Sequence, residues 1–215
     1  MNKRRSFTGT ILMAAAVILL LAGIAAAAGL FDQEEELRPL GLEDVPEEFI
    51  PVYEEAAEAY DIPWELLAAV HRVETIFSTM DPLESPVGAE GHLQFMPCTW
   101  TGWGHPTCED ELGEGNIPEQ EKMDPDVIAQ YGGYGVDASG NGTADPYNLE
   151  DAVHSAANYL AGSGAAEGRY EDAIYDYNRA SWYVEDVMHY FRTFEAGYTA
   201  VEFDEVAVEP VDIDS

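Results

Sequence analysis

The sequence predicts a mainly α-helical protein: a single globular domain over residues 47–195 behind an N-terminal transmembrane helix. Three observations predict it. Apolar residues recur at three- and four-residue spacing in separate segments after residue 47, the period of a buried helix face. No set of alternating apolar and polar residues is strong enough to build a large sheet. Residues 9–30 form an uncharged apolar run, "TILMAAAVILLLAGIAAAAGL" at its centre, long enough to cross a bilayer as a helix.

Lys3, Arg4 and Arg5 precede that run and would hold residues 1–8 in the cytoplasm, placing the rest of the chain outside. The implied location is the cell membrane, as a single-pass protein with its working domain extracytoplasmic. A cleavable signal peptide is the competing reading, because "AAAAG" offers small residues at a cleavage site, and the product would then be secreted. The apolar run exceeds a usual signal core, which favours a retained anchor.

All 42 acidic residues but only six of the nine basic ones follow the run. So acidic a surface repels nucleic acid and anionic lipid, and excludes both as partners of the exported part. Cys98 and Cys108 lie close together in "MPCTWTGWGHPTC", and in an oxidising compartment they read as a disulfide closing a local loop.

Residues 31–46, acidic and punctuated by Pro39 and Pro46, read as a linker. A first helix follows, with Phe49, Val52, Tyr53, Ala56, Ala57 and Tyr60 at helical spacing. Asp61 is expected to cap a second helix, with Pro63 in its first turn. The middle, residues 78–146, is rich in Gly and Pro, with short helices expected near 95–102 and 124–130. Three further helices begin at Asn148, near Tyr170 and at Ser181, the first capped by Asn148 and stopped by Gly162, the last capped by Ser181. Residues 196–215 read as an acidic disordered tail.

One carboxylate stands out. Leu66, Leu67, Val70 and Val73 mark the buried face of the second helix, and Glu74, four residues after Val70, lies along that same face. Burial and the negative end of its own helix both disfavour its charged form, which suits a general acid at neutral pH. A glutamate whose head group reaches water at a helix end would look the same. In "SPVGAEGHLQFMPCTW", glycines 88 and 91 bring backbone close to what lies opposite, and Gln94 offers an amide that both donates and accepts. In "IYDYNRASWY", Tyr177 and Asn178 sit at a junction between helices where a phenol and an amide can face a cleft.

"DASGNGTADPYNLED", residues 137–151, follows the logic of a calcium loop. Asp137, Ser139 and Asn141 take its first, third and fifth places, Gly142 the sixth, and Thr143 the seventh through its carbonyl. The twelfth place is Asn148 rather than glutamate, so Asp151 would have to close the shell. An Asp/Asn/Gly turn bonded to itself is the alternative.

Taken in order, "VETIF", "GAEGHLQFMPCTW" and "DYN" resemble the E-S/T-x-F, G-A-x-G-x-M-Q-F-M-P-x-T-W and A-Y-N elements of the lytic transglycosylases. The resemblance spans about residues 50–195. It implies an α+β lysozyme-like fold, acting as a monomer on the glycan strands of peptidoglycan. It implies that Glu74 is a lone general acid and base, that Gln94, Tyr177 and Asn178 line the sugar site, and that the products are 1,6-anhydromuramoyl ends. No cofactor is then required for the chemistry, and calcium would be structural. A hydrolytic muramidase with Glu84 or Glu90 as second carboxylate, a goose-type lysozyme-like chitin cutter, and a glycan-binding protein with a dead site stay open as alternatives.

Overall fold

Small residues decide where the helices meet. Ala56, Ala57, Ala68, Ala69, Ala152, Ala156 and Ala157 are all buried, and they let three helices approach closely around larger side chains. In a computed structural model describing residues 37–108 and 113–208, these helices are α1 (Ile50–Tyr60), α2 (Trp64–Thr75) and α6 (Leu149–Gly162). Between them come α3 (Pro97–Thr101), α4 (Glu119–Lys122) and α5 (Pro125–Tyr131); after them come α7 (Tyr170–Tyr177) and α8 (Ser181–Ala196). The result is a mainly helical single domain.

The longest helix, α8, packs along α2, so the two faces that bury Leu66, Leu67 and Val70 on one side and Tyr183, Val187, Phe191 and Phe194 on the other form the core. Each of these side chains is withdrawn from water, at roughly 1.5–3 kcal/mol for a fully buried large apolar group. α1 lies against both α2 and α6, and α7 bridges α6 and α8.

Helix boundaries follow local chemistry, with two corrections. Asp61 does not cap α2. It ends α1 in the left-handed conformation at φ 54°, and α2 starts after Pro63 with no side-chain cap. Ser181 is the first residue of α8 rather than its cap, which is Ala180. Asn148 does cap α6, its side chain accepting from the Asp151 amide.

The flanking segments are the larger correction. Part of the expected linker and part of the expected tail are ordered, because they pair with each other. β1 (Arg38–Pro39) runs parallel to β4 (Val206–Ala207), and β2 (Asp44–Pro46) runs parallel to β3 (Thr199–Val201). Val45, Val201 and Val206 are buried by this pairing, and Arg38 bonds to Asp44 with both guanidinium ends. The domain therefore runs from Arg38 to at least residue 208. The membrane-spanning segment expected at 9–30, the cytoplasmic stretch 1–8 and residues 209–215 lie outside the described residues; among those described, no helix is long and apolar enough to cross a membrane.

Candidate active site

Glu74 sits in the last turn of α2, where the chain leaves the helix in an unusual way. Ile76, Phe77 and Ser78 follow with φ of 47°, 56° and 68°, three consecutive left-handed residues, none of them glycine. Such a conformation costs roughly 1–2 kcal/mol per residue, and for a β-branched isoleucine it is a genuine outlier. The surroundings hold it. Phe77 is fully buried, the Ile76 amide donates to the Arg72 carbonyl, and the Ser78 amide donates to the Thr75 hydroxyl. Thr75 in turn donates to the carbonyl of His92 at 2.9 Å, fastening the helix end to the glycine-rich loop.

The Glu74 carboxyl is half-buried, and its one hydrogen-bond partner among the described residues is the Tyr183 hydroxyl from α8, which donates to its Oε1 at 2.5 Å. Burial raises the Glu74 pKa from 4.5 to about 8, with the Tyr183 hydrogen bond pulling the other way. The group therefore holds a proton at neutral pH. The phenols of Tyr183 and Tyr177 are pushed well above their ordinary range, by burial first and by the Glu74 charge second, so both remain donors.

Tyr177, at the end of α7, donates to the Leu93 carbonyl at 2.8 Å and so pins the loop that carries Gln94. Gln94 itself adopts φ 48° and donates from Nε2 to the Gly91 carbonyl. Together with Met96, Thr99, Tyr159 and Tyr177 it lines a crevice of about 50 Å3. Gly91 cannot be replaced without moving the loop: at φ 78°, a Cβ there would lie 1.9 Å from the Pro146 carbonyl oxygen. Asn178 follows as an extended residue whose side chain makes no hydrogen bond among the described residues. The fold thus brings Glu74, Tyr177 and the Gln94 loop together. A larger groove, about 960 Å3 between α7 and α8, includes none of them.

Three contacts around the candidate site escape sequence reasoning. Tyr183 is separated from Glu74 by 109 residues and carries no local signature. Lys122 holds Glu90 through both carboxylate oxygens, at 2.8 and 2.6 Å, and also pairs with Glu119. Glu90, weighed as a second catalytic carboxylate, is thus engaged by a buried ammonium. Ser78 lies between the rings of His71 and His92, within 2.7 and 2.6 Å of one nitrogen of each.

The loop at 137–151 closes on itself. Asp137 accepts from the amides of Asn141 and Gly142, and Asn141 accepts from the amide and hydroxyl of Thr143. Asp151 is fully buried, and its two oxygens accept from the amides of Ser139 and Asp145. The residues expected to hold calcium thus bond to amides and hydroxyls of their own loop, with Asp151 accepting from two of its amides. No cluster of three or more His, Cys, Asp or Glu suited to a metal occurs among the described residues. Cys98 and Cys108 do form the expected disulfide.

No protein-family model matches the chain. Over 146 residues the chain is 25% identical to the L-Ala–D-Glu endopeptidase of Bacillus subtilis (strain 168), an alignment covering 67% of this chain and 41% of that relative. The chain thus spans about two fifths of the relative's length. This finding corrects the motif-based identification. The relative is an endopeptidase and not a transglycosylase, so the lytic transglycosylase assignment, its lyase chemistry and its anhydromuramoyl product are withdrawn.

Proposed function

We propose that the chain is a peptidoglycan hydrolase in which Glu74 supplies the proton for bond cleavage. The observation that carries the chemistry is the half-buried Glu74 carboxyl under the Tyr183 hydroxyl, its pKa raised by burial to about 8. An acid of this kind serves a bond whose leaving atom is too basic to depart unprotonated, and positioned proton transfer is worth roughly 10²–10⁴-fold in rate. Water adds across the bond, the leaving atom takes the Glu74 proton, and the carboxylate left behind recovers a proton from the attacking water.

The substrate class rests on the similarity to the L-Ala–D-Glu endopeptidase, since a D-glutamyl residue joined to L-alanine is a feature of the cell-wall stem peptide. In that bond the leaving atom is the amide nitrogen of D-glutamate, and the new ends are an alanine carboxylate and a free glutamate amine. Tyr183 steadies the carboxyl in both protonation states, donating to one oxygen throughout. The crevice beside Gln94 and Tyr177 supplies an amide and aromatic surface against which a substrate group can be held.

The test is mass spectrometry of purified peptidoglycan treated with the full chain and, in parallel, with Glu74→Gln. Fragments one water heavier than their precursors, with new amino-terminal D-glutamate and absent from the variant digest, are expected. Intact stems with new glycan ends would move the cut to the sugar chain. Equal digestion by the variant would remove Glu74 from the chemistry.

A further inference from the structure

A continuous run of hydrogen bonds crosses the domain behind Glu74. The Tyr53 hydroxyl lies 2.6 Å from His71 Nδ1, His71 Nε2 lies 2.7 Å from Ser78 Oγ, Ser78 Oγ lies 2.6 Å from His92 Nδ1, and His92 Nε2 lies 3.0 Å from the Tyr147 carbonyl oxygen. Tyr53 and His71 are fully buried. The chain joins α1, α2, the left-handed turn after Glu74, the glycine-rich loop and the loop before α6.

Its proton order follows from one end. The Tyr147 carbonyl can only accept, so His92 Nε2 carries a hydrogen. In neutral His92 the other nitrogen, Nδ1, is then an acceptor, and Ser78 must donate to it. Having used its single hydrogen, Ser78 accepts from His71 Nε2–H, which leaves His71 Nδ1 to accept from the Tyr53 hydroxyl. All five groups are satisfied in this order. A second proton on His92 would point an N–H at an oxygen already facing the His71 N–H, and the Ser78 hydrogen would lose its acceptor.

We propose that Ser78, held between His71 and His92, is a positioning residue that fixes the left-handed turn behind Glu74 against the loop bearing Gln94. The inference rests on the assignment of Glu74 as proton donor. The turn is strained at Ile76, Phe77 and Ser78, and Ser78 is the one of the three whose side chain bonds to both the helix and the loop. The relay requires both imidazoles to be neutral. Burial lowers the pKa of each, most strongly for His71, while Asp145 and the Tyr147 carbonyl oppose the shift at His92. The titratable groups facing the pair are Tyr53 from α1, the two rings themselves, and Asp145 from the loop before α6. The Thr75 to His92 bond is independent of Ser78, so the turn has a second fastening and Ser78→Ala is expected to fold.

Two readouts test the proposal. The first is nitrogen NMR of the imidazoles in the full chain at neutral pH, where both rings are expected neutral with hydrogen on Nε2. Hydrogen on His92 Nδ1, or a charged ring, would overturn the relay whether or not the protein cuts peptidoglycan. The second is turnover. Ser78→Ala is expected to lower kcat ten- to a hundredfold, roughly what a misplacement on the order of 1 Å does, with KM little changed. His92→Leu should show a similar loss, and His92→Gln, whose amide donates and accepts but does not titrate, should recover most of it. Unchanged kcat in Ser78→Ala, or equal loss in both His92 variants, would overturn the positioning role. Should the wild-type protein release nothing from peptidoglycan, the functional reading falls, and the tautomers still decide the relay.

Discussion

Replacing Glu74 by glutamine should make the protein more resistant to unfolding at alkaline pH while abolishing its activity. The native state holds the Glu74 proton up to about pH 8, whereas the unfolded chain releases it near 4.5. Because the folded pKa is the raised one, the stabilising contribution is complete below the unfolded value and is lost as pH climbs to the folded one. A rise from 4.5 to about 8, at about 1.4 kcal/mol per pH unit, sets a ceiling of about 5 kcal/mol. Glu74 keeps some contact with solvent, so hydration recovers part of this and about 2–5 kcal/mol is expected. Glutamine keeps the shape and accepts from Tyr183 but does not ionise. Urea unfolding of both proteins at about pH 5 and about pH 9 measures the effect, with the difference in unfolding free energy shifting toward the variant by that amount. A difference constant across this range would refute the claim that Glu74 is enclosed as a neutral acid.

Tyr183→Phe removes the hydroxyl that donates to Glu74 and opposes the upward shift, so the alkaline limb of the pH–rate profile should move higher; an unmoved or lower limb in kcat measurements would contradict this. Joint replacement of Cys98 and Cys108 by serine opens a link between residues ten apart and should lower stability by about 3 kcal/mol in chemical unfolding. Asp151→Ala strands the amides of Ser139 and Asp145 at a fully buried site, a loss of roughly 1–3 kcal/mol for each unsatisfied group, readable as a lower melting temperature.

Local pattern made much of the domain legible. The spacing of Leu66, Leu67 and Val70 marked the face of α2 and placed Glu74 against the core, and Asn148 announced the start of α6 through its side-chain cap. What stayed hidden depends on long-range pairing. Tyr183 meets Glu74 across 109 residues, and nothing in "SWYVED" distinguishes it from an ordinary core tyrosine. The strands at 38–46 and 199–207 are two or three residues long, too short for alternation to show, and each is ordered only by its partner at the other end of the domain. Asp61 has the composition of a cap for the helix that follows, yet its left-handed backbone closes the one before it. The Asp137 loop has the spacing of a calcium site, and its Asp137 carboxylate also accepts from the amides of Asn141 and Gly142, a bonding pattern that spacing alone does not reveal. The ordered motifs pointed to a transglycosylase, and the similarity to an endopeptidase corrected that reading.

The central claim, that residue 74 presents a neutral carboxyl at physiological pH, is tested most directly by carbon NMR of the glutamate side-chain carboxyls followed through a pH titration. Comparison of wild type with Glu74→Gln identifies the Glu74 signal. The account expects that signal to titrate with a midpoint of about 8, far above the other glutamates. A midpoint near the ordinary value of 4.5 would show a solvated carboxylate at the helix end and would contradict the proton-donor role.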